Sequence, residues 1–492
     1  MEIDIHVENI MSRIVGMLPP EVHLTLREDL SYVVSGSIFS EYSKQGMWDG
    51  TKNLFNSKTQ QFPTGLLRRA VVSLSKCGYS VNVIDKRKKP VGFPLVLKNV
   101  TLRDYQIECV QELVSKTRGL LMAGTGSGKT ICLAAVIAQL GVNTLVIVPT
   151  SGLLHQTAER LSKMLGIEVG MIGDSNKNIG KITVATFQSL TTSDDCKKRK
   201  FDSTSGKWKT VKDKKIIIRE DLKEYFQSVE CIITDEAHHL VSSSIQRVYD
   251  ACPNAYYRYG CSATPFSDRD EDVLTEAATG RVLKEYTASF LIKEGWLSTP
   301  TIHLIPFKQE RGGSSTKYAD LYNEKIINNT RRNKLLYDII SYRADLGDSV
   351  LVSVRYLEHG RILYDMLHEK YGDDVVFVNS KMTTKKLNDT LQKLSNKELK
   401  ICIGTSLVNE GVNLPSLNTL VLAGTPKSKI ATMQLVGRVL RKTDTKSTVD
   451  VYDIQDYNAK YFTSASKERF DIYSSESEFV LKEDNMFNME DL

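Results

Sequence analysis

The apolar run Leu120–Met122 passes directly into Ala123-Gly124-Thr125-Gly126-Ser127-Gly128-Lys129-Thr130, and a second apolar stretch opens at Ile131. A buried strand that turns on glycines into a buried helix rejoins its sheet by a crossover. The segment therefore calls for a parallel sheet covered on both faces. Short apolar runs continue the pattern at Thr144–Val148, Ile182–Ala185, Cys231–Thr234 and Tyr259–Cys261, most of them separated by helical stretches. A second series begins near Thr299, with strands expected at Val350–Val354, Val375–Val378, Lys400–Ile403, Thr419–Ala423 and Val449–Ile454. It holds no second glycine-rich loop. The expected fold class is α/β: two parallel-sheet domains in tandem, the first with the loop and the second completing its site.

Upstream, Leu66, Leu67, Ala70, Val71, Leu74 and Cys77 share one helical face, with Gly78 as C-cap, and Tyr79 to Ile84 alternates as a strand does. Residues 1–97 thus read as a small α+β accessory domain, closed by the basic segment Lys86 to Pro94. The first α/β domain spans 98–298, the second 299–460, and an acidic tail covers 461–492, loosely ordered from Ser474 to Leu492. Within the first domain, residues 191–217 lack periodicity and read as an insertion, either a hairpin or a mobile loop.

A chain of 492 residues has room for roughly three domains, and 41% hydrophobic with 25% charged residues is globular composition. The eight cysteines contain no C-x-x-C pair, which argues against a zinc ribbon or disulfide framework and for a reducing cytoplasm. The start, Met1-Glu2-Ile3-Asp4, lacks the character of a signal peptide. The stretch Ile131 to Val148 is broken by Gln139, Gly141, Asn143 and Thr144, so it reads as helix, turn and strand instead of a membrane span. A net charge of +6 is too small to argue for nucleic acid by itself. Local clusters matter more, chiefly Lys197-Lys198-Arg199-Lys200, followed by lysines flanking Trp208.

The loop chemistry follows from geometry. Gly124, Gly126 and Gly128 let backbone N–H groups turn toward phosphate oxygens at a helix N-terminus. With them, Thr125 and Ser127 complete a cradle for a nucleoside triphosphate. Lys129 brings a point charge to the β and γ phosphates, and Thr130 a hydroxyl for Mg²⁺. Ala123 stands where the general pattern opens with Gly, which is tolerable if the backbone there is not left-handed. About a hundred residues on, Asp235-Glu236-Ala237-His238 ends a buried strand. Asp235 suits the Mg²⁺ shell and Glu236 suits positioning or deprotonating water. Alone, that pair reads equally as a helix cap.

In this order the motifs resemble those of superfamily-two helicases of the DEAH-box kind, built from two RecA-like domains. The resemblance covers residues 102 to about 455. Leu102-Arg103-Asp104-Tyr105-Gln106 resembles the adenine-reading segment, implying nucleotide contacts from Arg103 and Gln106. Val148-Pro149-Thr150 and Thr186-Phe187-Gln188-Ser189 resemble strand-contact motifs, implying Pro149, Thr150, Thr186 and Gln188 on the nucleic acid. Ser262-Ala263-Thr264-Pro265 resembles the segment linking hydrolysis to domain movement. With His238 and Gln434, Ser262 and Thr264 are the coupling candidates. Thr405-Ser406 and Glu410 to Pro415 resemble the second domain's contacts, implying Thr405 on the strand and Gly411 and Asn413 on the nucleotide. Asn413 stands where many relatives carry Asp. Gln434 to Arg441 resembles the arginine-finger motif. Arg438 and Arg441, three apart on an expected helix, would share a face and stabilise γ-phosphoryl charge. Without the other motifs they read as solvated arginines. Gly46 to Gly50 and Phe62 to Leu66 are similar to the accessory domain of phage UvsW-type recombination helicases, which act on branched DNA.

The resemblance implies ATP and Mg²⁺ as cofactors and a helicase or translocase acting on forks, four-way junctions and displacement loops. It further implies phage-like replication, recombination and repair, in the host cytoplasm with replication or recombination proteins as partners and no membrane association. Two other readings stay open: a motor on RNA or RNA–DNA hybrids, and a duplex-translocating subunit of a restriction complex. The insertion is expected to place Lys197, Lys198, Arg199, Lys200 and Trp208 in the DNA path, or else to be a solvated, disordered loop.

Overall fold

The computed structural model describes the chain except residues 38–39, 203–206, 267–269, 309–316, 380–381, 383, 406–416, 425, 427, 443–445, 458 and 485–492. Two compact units make up the chain. One comprises Met1–Met122 and Lys129–Glu285, the other Ala123–Gly128 and Tyr286–Leu492.

In the first unit an eight-stranded sheet runs in the order Asn176–Asn178, Gly170–Gly173, Ile182–Thr186, Thr144–Val148, Cys231–Asp235, Tyr257–Ser262, Arg118–Ala123, Val282–Tyr286. Its interior strands pair in parallel. Every residue of Thr144–Val148, Ile182–Thr186 and Tyr257–Ser262 is buried. This is the signature of strands covered by helices on both faces, and it explains why they read as unbroken apolar runs.

The accessory domain is a four-stranded sheet in the order Gln61–Pro63, Met11–Val15, Glu2–Val7, Ser80–Asp85, with helices Pro20–Asp29 and Leu67–Lys76. The expected helix and its following strand are both present. Its core of Ile5, Leu26, Leu30, Phe62, Leu66, Ala70 and Leu74 also takes in Val273 and Ala277 from the helix Val273–Thr279. Gly65 sits so close to that helix that a Cβ there would collide with the carbonyl oxygens of Glu276 and Ala277. Arg69 pairs with Glu276 at 2.6 Å, and Asn9 Nδ2 donates to Pro253 O at 2.9 Å. The accessory domain is therefore packed directly onto the first α/β domain, its core completed by two residues of that domain's helix Val273–Thr279.

Of the two readings of the insertion, the hairpin is found: Thr191–Asp202 pairs antiparallel with Lys207–Ile218. The register sets Lys197 against Lys212, Lys200 against Lys209 and Phe201 against Trp208.

The second unit carries a seven-stranded sheet in the order Val375–Val378, Ile401–Gly404, Val350–Ser353, Thr419–Leu422, Thr448–Asp456, Thr299–Phe307, Val480–Glu483. All neighbours are parallel, so every strand ends at the same edge. The expected tail from 461 needs correction. Lys460–Ser474 is a helix and Val480–Glu483 an edge strand pairing with Thr299–Phe307. The helix is held by Phe462 and by Arg469, whose guanidinium is fully buried against Asp453 at 2.8 Å with Tyr473 on the same carboxylate. The buried face keeps helical spacing through Phe462, Ala465, Ile472 and Tyr473, but Ser466 and Arg469 interrupt its apolar stripe, which weakens the helical signal in the sequence. The acidic residues 485–492 lie outside the described ones. Among the described residues, no helix is long and apolar enough to cross a membrane.

His359 is fully buried in this unit, with Nε2 against Asn333 Oδ1 at 3.0 Å. Burial, then the charge of Arg332, pushes its pKa from 6.5 down to about 3. Folded and unfolded forms are both neutral above pH 6.5, where stability is complete. Below 6.5 the unfolded imidazole takes a proton and the folded one does not, so stability falls by about 1.4 kcal/mol per pH unit until the folded value is reached. We expect His359→Gln to flatten the decline of the urea midpoint between pH 7 and 5. An unchanged slope would assign the decline to other groups.

Candidate nucleotide and nucleic-acid site

Sheet order brings three separate motifs to adjacent strand ends. Cys231–Asp235, Tyr257–Ser262 and Arg118–Ala123 are neighbours, with Asp235 opposite Cys261 and Ser262 opposite Met122. The carboxyl edge of a parallel sheet is where such folds hold ligands. There the glycine-rich loop leads into the helix Lys129–Leu140, which opens with Lys129 and Thr130. Gly126 and Gly128 adopt φ of 87° and 81°, a region that only glycine enters freely. Gly124 does not adopt such a φ; its N–H donates to Tyr286 O at 3.0 Å. Ala123 is a buried strand residue outside the left-handed region, so alanine serves there as well as glycine.

Asp235 Oδ1 accepts from Cys261 Sγ at 3.2 Å and from Glu236 N at 2.9 Å. Burial raises its pKa, the charge of Glu236 adds to the rise, and Lys129 opposes it. A cation beside it would favour the ionised form. Glu236 has φ 53°, a left-handed conformation that costs a non-glycine residue energy and is concentrated at functional sites. Ser262 Oγ donates to Glu236 Oε2 at 3.4 Å. Thr264 N donates to Ser262 Oγ at 3.2 Å, and His238 Nδ1 lies 3.3 Å from that same oxygen. Burial drives the His238 pKa down to about 4, so the ring stays neutral at physiological pH. The coupling candidates His238, Ser262 and Thr264 thus form one hydrogen-bonded cluster with Glu236.

His239, which in sequence reads as no more than a polar neighbour of His238, has its ring centroid 4.2 Å from that of His238 and 6.2 Å from that of Phe187. The three rings run from the Asp235–His238 segment to Thr186-Phe187-Gln188. The only sequence signal was the doubled histidine.

Gln106 is buried. Its Oε1 accepts from Arg103 N at 3.0 Å, closing a capping box on the helix Asp104–Ser115, while Arg103 Nη1 donates to Tyr105 Oη at 3.1 Å. Thr150 caps the helix Ser151–Leu165 by accepting from Leu153 N. Gln188 Nε2 donates to Pro149 O at 3.3 Å, and Thr186 Oγ1 lies 2.8 Å from Ser189 Oγ. Thr186 pairs with Val148 across neighbouring strands, so Pro149, Thr150, Thr186 and Gln188 gather at one place on the carboxyl edge.

In the second unit Thr405 follows the strand Ile401–Gly404 and is buried. Gln434 and Arg438 lie four apart on the helix Lys429–Val439, and so share a face. The expectation that Arg441 shares it as well is corrected. The helix stops at Val439, Leu440 O accepts from Ser298 N at 2.7 Å, and Arg441 pairs with Leu297 in an isolated antiparallel bridge. Inside the same unit, a Cβ on Gly126 would stand 3.4 Å from Arg441 Cγ. Gly411 and Asn413 lie outside the described residues. Lys197, Lys198, Arg199, Lys200 and Trp208 lie on the two strands of the hairpin.

For Mg²⁺ the donor types fit: a carboxylate at Asp235 and a hydroxyl at Thr130 are hard oxygen ligands. This ion commonly takes one or two carboxylates, with phosphates and water completing its shell. Among the described residues no three His, Cys, Asp or Glu side chains gather as a metal cage.

A glycine-rich loop and strand-end carboxylates on one parallel sheet, followed by a second all-parallel domain, define a tandem RecA-like ATPase. Family descriptions agree: "Type III restriction enzyme, res subunit" matches residues 99–267 and "Helicase conserved C-terminal domain" matches 331–443. The chain is 26% identical over 400 residues to the DNA 3'-5' translocase XPB2 of Sulfurisphaera tokodaii, covering 74% of this chain and 83% of that one. It is 24% identical over 454 residues to the ATP-dependent DNA helicase uvsW of Enterobacteria phage T4, covering 88% and 86%. In fold it resembles S. cerevisiae Dbp5 bound to RNA and ADP BeF3, with a TM-score of 0.53, 14% identity and 80% and 93% coverage. The chain belongs to the superfamily-two helicases and is an ATP-hydrolysing helicase.

Proposed function

We propose that this helicase unwinds or branch-migrates forked and four-way DNA. The carrying observation is the shared core of the accessory domain and the helix Val273–Thr279. That helix follows the Ser262–Pro265 segment, so an attached DNA-binding surface would travel with the part of the motor that responds to hydrolysis. The similarity to the phage T4 protein, which extends over 88% of the chain, supports the same reading. It also favours action in the cytoplasm of a host cell, among replication or recombination proteins.

In this reading the backbone of Gly124 to Gly128 holds the ATP phosphates and Lys129 neutralises their charge. Arg103 and Gln106 face the base. Thr130 and Asp235 would hold Mg²⁺, which when bound offsets charge on the β and γ phosphates. Glu236 orients and deprotonates the attacking water, and Arg438 and Arg441 stabilise the charge that develops on the γ-phosphoryl group. Ser262, Thr264, His238 and Gln434 relay nucleotide state. Pro149, Thr150, Thr186, Gln188 and Thr405 hold the backbone of one strand, chiefly through phosphate and sugar. The basic hairpin enters the DNA path.

ATPase rate against single-stranded DNA, blunt duplex, forked DNA, four-way DNA and RNA tests the proposal. Preferential stimulation by forked and four-way DNA is the expected result. Equal stimulation by blunt duplex would make the chain a duplex translocase, and preference for RNA would overturn the substrate. Neutralising Lys197 to Lys200 should weaken binding to branched DNA and flatten its salt dependence, each lost phosphate contact removing about 0.9 from the log–log slope. An unchanged slope would take the hairpin out of the DNA path.

A further inference from the structure

At the carboxyl edge of the second unit's sheet, three separate stretches of chain bring tyrosines around one arginine. Arg355 and Tyr356 follow the strand Val350–Ser353. Tyr318 and Tyr322 lie on the helix that precedes a π-helical turn at Asn323–Ile327, and Tyr461 opens the helix that follows the strand Thr448–Asp456. The Arg355 guanidinium lies 5.5 Å from the ring centroid of Tyr318 and 5.6 Å from those of Tyr322 and Tyr356, and its Nη1 donates to Tyr318 Oη at 2.9 Å. Tyr461 meets Tyr318 edge-on at 5.8 Å.

The inner rings do the packing. Tyr322 is fully buried, its hydroxyl donates to Gly424 O at 2.9 Å, and Phe462 lies beneath it. The outer rings are not used up in this way: Tyr356 is 40% and Tyr461 51% exposed. With Arg355 these outer rings leave an aromatic, positively charged patch in water, and a grouped patch is informative where a single exposed ring is not. Their position adds to this. The strands Val350–Ser353 and Ile401–Gly404 are adjacent, and Val354 N donates to Gly404 O at 2.9 Å, one residue before Thr405. The segment that carries Arg355 and Tyr356 therefore leaves the sheet beside the residue proposed to hold a strand backbone.

We propose that Tyr356 and Tyr461, with Arg355 beside Tyr356 and hydrogen-bonded to the Tyr318 that links the two, form a stacking platform for the bases of an unpaired strand. Every base offers a π-face, so such a platform grips without reading sequence, and a guanidinium beside it supplies charge toward the phosphates. The site gives a motor that holds the backbone a second, base-dependent grip on the same domain. The inference rests on the DNA-motor reading above.

The test compares binding of an oligothymidine and of an abasic strand with the same number of phosphates, measured by fluorescence anisotropy on the full chain. The Tyr356→Ala/Tyr461→Ala variant should lose about tenfold or more in affinity for oligothymidine and nothing for the abasic strand. Tyr356→Phe/Tyr461→Phe should bind both as the unaltered chain does, which separates stacking from the hydroxyls and from misfolding. Equal losses on both strands, or none on either, would overturn the platform while leaving the motor reading intact. An unaltered chain that binds neither strand would instead defeat the motor reading itself, and the platform with it.

Discussion

Lys129→Ala should lower nucleic-acid-stimulated ATP hydrolysis by about 10²–10³-fold, the cost of removing one preorganised charge from a developing transition state. The side chain opens the helix Lys129–Leu140 directly after Gly128, whose left-handed φ aims the turn. Its charge opposes the rise in the Asp235 pKa that burial and Glu236 produce. Alanine would therefore remove the positive charge proposed to meet the phosphates and push Asp235 further toward its neutral form, weakening its hold on Mg²⁺ as well. ATP affinity should fall together with turnover. Lys129 is only partly buried, so thermal stability should change little. A pure variant that still hydrolyses ATP at the original rate would remove the loop from the chemistry.

Glu236→Gln should separate the two effects. Loss of a general base costs about 10²–10⁴-fold in rate, while the amide keeps the side chain's shape and its acceptance from Ser262 Oγ, 3.4 Å away in the parent. Removing the Glu236 charge also relieves one cause of the raised Asp235 pKa, leaving that carboxylate more ionised and Mg²⁺ no less welcome. ATP-analogue binding should persist while single-turnover hydrolysis collapses. Hydrolysis at the parental rate would return Glu236 to a structural role.

The interior strands were legible because residues such as those of Thr144–Val148 and Ile182–Thr186 are buried on both faces and read as apolar runs. The outer strands were not: Gly170–Gly173, Asn176–Asn178 and Val480–Glu483 are short, polar or glycine-rich. The C-terminal helix was hidden because Arg469 and Asp453, and not a stripe of leucines, anchor it. Motif chemistry could be read from spacing, since each motif is contiguous. What sequence withheld was order across the sheet, which sets Ser262 opposite Met122 and Asp235 opposite Cys261. Arg441 reads as helical in sequence because nothing local marks the stop at Val439, two residues before it. The tyrosine platform has no signature in the sequence because Tyr356 and Tyr461, and the Tyr318 between them, stand far apart along the chain and meet only in the fold.

The boundary near residue 97 divides the chain by composition but not by material. Val273 and Ala277 belong to the accessory core as fully as Phe62 or Leu74 does, and Gly65 leaves no space between them. A protein begun at residue 98 would present those side chains bare, an apolar patch that invites aggregation. The accessory domain is thus no detachable module. A graft taken from a relative would have to arrive with its own version of Val273–Thr279, so the two pieces are expected to be inherited, exchanged and lost together.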